Sequence, residues 1–333
     1  MARDQEAYSI SRRSFCWTLI GVLVPPDIAI AQASKVRRIG VLEPGMPDPP
    51  EAIWQQEEPL RKLGWIEGKN LRVERRYDNG RGEALQVLAE ELVRAKVEII
   101  VTGGTPATLA AKRATTTIPI FFSVGDPVLL GLVASLARPG GNLTGFSQAG
   151  PEVTGKYLSL LKELLPRMQR IGALWQAGNP YYRDTRGQFE HVCQSLGLVP
   201  IIVEIGAAAD IDGAIAQLMR QQADALVLGN DGFIWDHRLE IVEVATKHGL
   251  PTMAEYPAMV REAGALVTYS PTLTEQYRQR AKYIDLILRG AKPADLPVQQ
   301  PTKFELVINL KTARALGLTI PKELLLRADE VIR

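Results

Sequence analysis

Residues 98–107 read Glu98-Ile99-Ile100-Val101-Thr102-Gly103-Gly104-Thr105-Pro106-Ala107. A short β-branched run ends in two glycines, and a helix opens directly after them. Thr105 is placed as the helix cap and Pro106 as its first residue, where a missing N–H costs nothing. That is a strand feeding a helix, the unit of a parallel α/β sheet.

The same rhythm extends outward in both directions. Before it come Arg38-Ile39-Gly40-Val41-Leu42 and Leu71-Arg72-Val73-Glu74; after it come Pro119-Ile120-Phe121-Phe122-Ser123 and Leu143-Thr144-Gly145-Phe146. Leu85, Leu88 and Leu92 mark an amphipathic helix between strands. The pattern breaks at residues 147–154 and restarts with Ile171-Gly172-Ala173-Leu174-Trp175, followed by apolar runs at 198–205, 225–228, 251–253 and 265–269. Tyr157, Leu160, Leu161 and Leu164 share one helical face; Ile211, Ile215 and Leu218 share another. The expectation is two Rossmann-like α/β lobes of about five strands each. A long helix from Leu273 to Arg289, a strand at Phe304–Asn309 and two short helices are left over. The chain must therefore recross between lobes, which makes a multi-strand hinge. The assigned bodies are 36–149 plus 272–292 and 150–271 plus 293–333.

The chain has 333 residues, with 39 Lys+Arg against 37 Asp+Glu for a net charge of +2. That is too near neutral for binding nucleic acid by phosphate neutralisation. Two cysteines and three scattered histidines predict no disulfide framework, no metal site and no cofactor ligation. Residues 1–33 read as a cleavable export signal. Arg12-Arg13 precede a ten-residue apolar run, Phe15–Val24, about half of what spans a bilayer, and Ala31-Gln32-Ala33 supplies a peptidase pattern. The twin arginines point to the Tat route, with an ordinary Sec signal as the alternative. Cys16 lies too early for a lipid anchor, so Cys193 remains as buried filler.

Candidate ligand residues follow the strands, where parallel sheets open their crevices. Thr105 and Pro106 start a helix whose N–H groups could hold a carboxylate, or they are simply a cap. Ser123 and Asp126 follow the fourth strand; Asp126 before Pro127 is again either a cap or an acceptor for an ammonium group. Side by side, the two loops suit a zwitterion. In the second half, Asn179, Asn230, Asp231 and Tyr256 follow strands in the same way. No G-x-S-x-G elbow, Walker loop or H-E-x-x-H is present, so no catalytic residue is assigned.

Taken together, these residues resemble the ABC-transporter substrate-binding protein family that includes tryptophan- and tyrosine-binding proteins. The segments that carry it are Arg37–Leu42, Leu63-Gly64-Trp65-Ile66-Glu67-Gly68, Gly104-Thr105-Pro106-Ala107, Thr117-Ile118-Pro119-Ile120, Asp126-Pro127, Gly131–Asn142 and Pro301–Asn309. The resemblance implies a periplasmic-binding-protein type I fold, with three hinge strands and lobes that close on a ligand and then dock on a permease. It places Thr105, Ser123 and Asp126 opposite Asn230, Asp231 and Tyr256. It further implies a periplasmic, monomeric receptor for an amino acid, aromatic ones included, or a related amphipathic molecule, and no enzyme. An enzyme with Asp126 or Glu255 as base and a sensor for a signalling receptor are the alternatives. The sequence departs from its relatives at Gln56 and Pro59, where Pro59 kinks a helix unless the helix starts there, and Trp54 is the candidate replacement for an aromatic wall.

Overall fold

The computed structural model describes residues 36–333 except 48, 149, 150 and 230, and not the side chains of 51, 54 and 151. The expected leader, Asn230 and the Trp54 side chain lie outside the described residues. A first sheet holds β1 (Arg37–Glu43), β2 (Leu71–Tyr77), β3 (Ile99–Gly103), β4 (Ile120–Val124) and β5 (Leu143–Ser147), all parallel, in the order β2-β1-β3-β4-β5. A second sheet holds β6 (Arg170–Gln176), β7 (Val199–Ile205), β8 (Ala225–Leu228), β9 (Thr252–Ala254), β10 (Val267–Pro271), β11 (Phe304–Asn309) and β12 (Glu330–Ile332). Its order, β7-β6-β8-β9-β10-β11-β12, repeats the first and adds two strands. The helices of the first lobe are α1 (Pro50–Lys62), α2 (Leu85–Arg94) and α3 (Gly104–Ala114). Those of the second are α4 (Pro151–Leu164), α5 (Pro180–Ser195), α6 (Ile211–Arg220), α7 (Gly232–Asp236), α8 (Arg238–Lys247) and α9 (Pro257–Arg261), followed by α10 (Leu273–Leu288), α11 (Leu310–Ala315) and α12 (Lys322–Arg327).

The strands are apolar because helices cover both faces. Every residue of Ile99–Thr102 is buried, as is every residue of β8. Helices meet them with stripes at helical spacing: Leu85, Ala89 and Leu92 in α2, and Ile211, Ala214, Ile215 and Leu218 in α6. Cys193 is buried in the second lobe and its thiol is pushed up to about 12 by burial, so it stays protonated and unreactive.

One expectation needs correcting. The second sheet is not wholly parallel, since β11 pairs antiparallel with β10. The cause is the route of the chain. After β10 it leaves the second sheet, and α10 packs Ala281, Tyr283, Ile284, Ile287 and Leu288 against Ile39, Ile99, Phe121 and Phe146 of the first. It returns from the hinge side, so β11 enters at the C-terminal ends of the parallel strands and runs the other way. On the return, Gln299 pairs beside β5, with Ser147 N–H donating to Gln299 O at 2.9 Å and Gln299 N–H to Gly145 O at 2.9 Å. Val298 is packed on the first sheet, so this crossing lies between Val298 and Phe304, several residues past the expected change at 292/293.

Helix starts also differ from the sequence reading. The cap of α3 falls on Gly103, with no side-chain hydrogen bond, and Thr105 lies inside the helix with only 3% exposure. Asp126 caps a turn and no helix follows; its Oδ1 accepts from Val128 N–H at 3.1 Å and Leu129 N–H at 3.0 Å. Pro59 sits in the interior of α1, which begins nine residues earlier at Pro50.

Candidate functional site

Strand order β2-β1-β3 reverses direction between β1 and β3, and β7-β6-β8 does so between β6 and β8. In parallel sheets a ligand crevice opens at such a switch point, beyond the C-terminal strand ends. Here the two switch points face each other. Glu43 ends β1, Gly103-Gly104 follow β3, Gln176 ends β6 and Asp231 follows β8, and all of them line one cleft of about 220 Å3. At Gly103 the Glu43 carboxylate lies against the backbone, and a Cβ, which would stand 1.8 Å from Oε2, would push it aside.

The walls are mixed, as an amphipathic ligand needs. Phe121, Phe146, Trp235 and Tyr256 supply rings, with Trp235 and Tyr256 edge to face at 5.4 Å. Ser123, Gln148 and Gln276 form a polar strip: Gln148 Nε2 donates to Ser123 Oγ, and to Gln276 Oε1 at 2.9 Å. That strip ties β4 to α10 through the hinge. Arg280 is the single basic side chain among the described lining residues. Its Nη2 donates to Gln56 Oε1 at 3.0 Å, and its guanidinium lies 5.1 Å from the centroid of the Tyr277 ring.

Asp231 caps α7 through Oδ1, which accepts Ile234 N–H at 2.8 Å, while Oδ2 accepts the Tyr182 hydroxyl at 2.8 Å. Burial raises its carboxyl to about 6, against the pull of these hydrogen bonds. Asn179 caps α5, accepting Tyr181 N–H at 3.1 Å.

The cleft therefore takes in Pro106, Ser123, Asn179, Asp231 and Tyr256 from the sequence-derived set. An adjoining hollow of about 80 Å3 is lined by Thr105, Ser123, Asn179 and Tyr256. Asp126 lies elsewhere. It lines a separate cavity of about 50 Å3 with Glu255, Tyr157, Trp175 and Tyr182. Between these spaces the ring of Tyr181 lies against Gly125, where a Cβ would be 2.1 Å from Cε2. Sequence reasoning missed Glu43, Gln56, Gln148, Gln176, Trp235 and Arg280. Glu43 and Gln176 could have been found from the switch-point rule once the strand order was assumed. Arg280 carried no signal of its own, because nothing in a long helix with many charged residues marks which of them faces the cleft.

Comparison with known proteins agrees with this architecture. The profile of a family described as "ABC transporter substrate binding protein" matches residues 55–332. A "Tyrosine-binding protein" of Clostridioides difficile is 26% identical over 262 residues, covering 78% of this chain and 74% of that one. A conserved domain protein of Vibrio cholerae superposes with a TM-score of 0.82 at 27% identity, over 89% of this chain and 100% of that chain. A Streptococcus pneumonia ABC domain in complex with L-Trp superposes with a TM-score of 0.80 at 27% identity, over 89% of this chain and 99% of that chain.

Proposed function

Because the chain belongs to the ABC transporter substrate-binding proteins, we propose that it is an exported receptor for an amino acid, which it hands to the permease of an ABC importer. The leader at residues 1–33 would carry it to the periplasm, and the two lobes would close about the hinge on a single ligand. The observation that carries this reading is the cleft at the paired switch points. It holds rings from both lobes beside one cation, Arg280, and two carboxylates, Glu43 and Asp231. An amphipathic zwitterion with an aromatic or branched side chain matches that lining. Support also comes from a tyrosine-binding relative and a tryptophan-bound structural neighbour.

The test is thermal unfolding of the purified protein, freed of co-purified ligand, against the amino acids with sugars as controls. A ligand at 100 times its Kd adds about 2.7 kcal/mol. At roughly 2–4 °C per kcal/mol, Tm rises by several degrees. A rise with tryptophan, tyrosine or phenylalanine supports the assignment. No rise with any amino acid overturns it and turns the search to aromatic acids.

A further inference from the structure

We propose that Arg280 and Glu43 form the clamp for the ligand's head group, Arg280 taking the carboxylate and Glu43 the ammonium, so that the side chain of an α-amino acid points at Trp235 and Tyr256. This rests on the reading of the cleft as an amino-acid site. It moves the head group away from the loops at Thr105 and Asp126, which the sequence offered as either helix caps or head-group contacts.

Arg280 comes from α10 and reaches the cleft from the first lobe. Arg75, which shares the 40 Å3 cavity beside the cleft with it, is neutralised within the protein by Glu57 and Glu67. Arg280 pairs with no carboxylate among the described residues. It is instead oriented, by Gln56 Oε1 on one side and the Tyr277 face on the other. A guanidinium fixed in this way in a ligand cleft is prepared for a carboxylate, which it can hold through two parallel N–H donors.

The rival anion site is the start of α3. A helix N-terminus offers about half a charge, and an anion there is worth about 0.3–1 kcal/mol. Arg280 carries a full charge and can hold both carboxylate oxygens through parallel N–H donors, so it is the stronger site. Glu43 shares both of its spaces, since the two residues line the main cleft and also the 40 Å3 cavity. A carboxylate and an ammonium on neighbouring atoms are the two groups that such a pair would divide. Asp126 cannot compete for the ammonium from its separate cavity.

The experiment is titration calorimetry on wild type, Arg280→Gln, Arg280→Lys and Glu43→Gln. Each is tested with three matched compounds: the tightest-binding amino acid, its carboxamide and its deaminated acid. Circular dichroism and ligand-free Tm establish folding, and Arg280→Lys with Glu43→Gln carries the test should Arg280→Gln not fold. Wild type is expected to bind the amino acid about 50-fold or more above either analogue. Arg280→Gln loses about 50- to 100-fold for the amino acid and no longer separates it from the carboxamide, and Arg280→Lys recovers part of that. Glu43→Gln no longer separates the amino acid from the deaminated acid. An Arg280→Gln variant within threefold of wild type overturns the clamp while leaving an amino-acid receptor standing. A wild type that binds the deaminated acid but no amino acid, or none of the three compounds, overturns the clamp and the amino-acid assignment together.

Discussion

Asp231 shows how one buried carboxylate couples the cleft to pH. Burial lifts it from an ordinary 3.8 to about 6, so the folded chain keeps a proton that the unfolded chain releases. The stability this contributes is full below about pH 4 and is lost as pH rises through about 6. A shift of about two units corresponds to roughly 3 kcal/mol at most. Asp231→Asn keeps the cap of α7, since Asn caps as well as Asp, and its amide nitrogen, in the place of Oδ2, donates to the Tyr182 hydroxyl oxygen instead of accepting from it. Ligand-free urea unfolding at pH 4.5 and 7.5 should therefore show the variant gaining about 1–3 kcal/mol on wild type between the two values. Parallel behaviour would mean that Asp231 is solvated more than its burial implies.

Among the elements, α10 does the most to join the parts, and its helix was read from the sequence at Leu273–Arg289, close to the Leu273–Leu288 observed. Its apolar face fills the first-lobe core, Trp65 Nε1 donates to its Asp285 at 2.8 Å, and the hydroxyl of its Tyr283 donates to Pro297 O in the return strand at 2.6 Å. Ile284 is 2% exposed within that cluster. Ile284→Ala should cost about 2–4 kcal/mol through lost burial and a residual cavity. This would appear as a lower urea midpoint at constant m; a cost under 1 kcal/mol would show that the helix settles into the space. Strands such as Ile99–Thr102 were legible because a parallel strand covered on both faces must be apolar throughout, and α6 was legible through its spacing. The lining of the cleft was less so. Thr105 looks like a cap in sequence, yet a positive-φ Gly104 turns the chain one step earlier, and Thr105 is buried within the helix. Arg280 looks like any arginine on a long helix, even with that helix assigned to the first lobe, because ligand contacts assembled from distant segments leave no local pattern.

At the scale of the whole molecule, the question is what holds the cleft shut. The loop after β1 is fixed by Asp78, whose Oδ1 accepts Gly45 N–H at 2.7 Å and Gly80 N–H at 2.9 Å. Held in this way, Met46 N–H reaches the second lobe and donates to Asp236 Oδ2 at 3.0 Å. Pro44 and Met46 both line the cleft, so this bond closes over the ligand space. Burial raises the Asp236 carboxyl while the Met46 N–H opposes that rise, as expected of an acceptor partly withdrawn from water. If the lobes close on the ligand as proposed, a bond between them stabilises the closed form, so its loss should hasten ligand escape more than it slows entry. Met46 is itself exposed, which limits the contribution to about 1 kcal/mol, or roughly fivefold in the opening equilibrium. Asp236→Ala should accordingly raise the ligand dissociation rate about fivefold and leave the association rate within twofold, followed by stopped-flow fluorescence of Trp235 in the cleft wall. An unchanged dissociation rate would place the closing energy in the ligand's own contacts with the two lobes. Arg280 and Glu43 in the first lobe and Trp235 and Tyr256 in the second would then be the side chains to truncate next, with the dissociation rate again the readout.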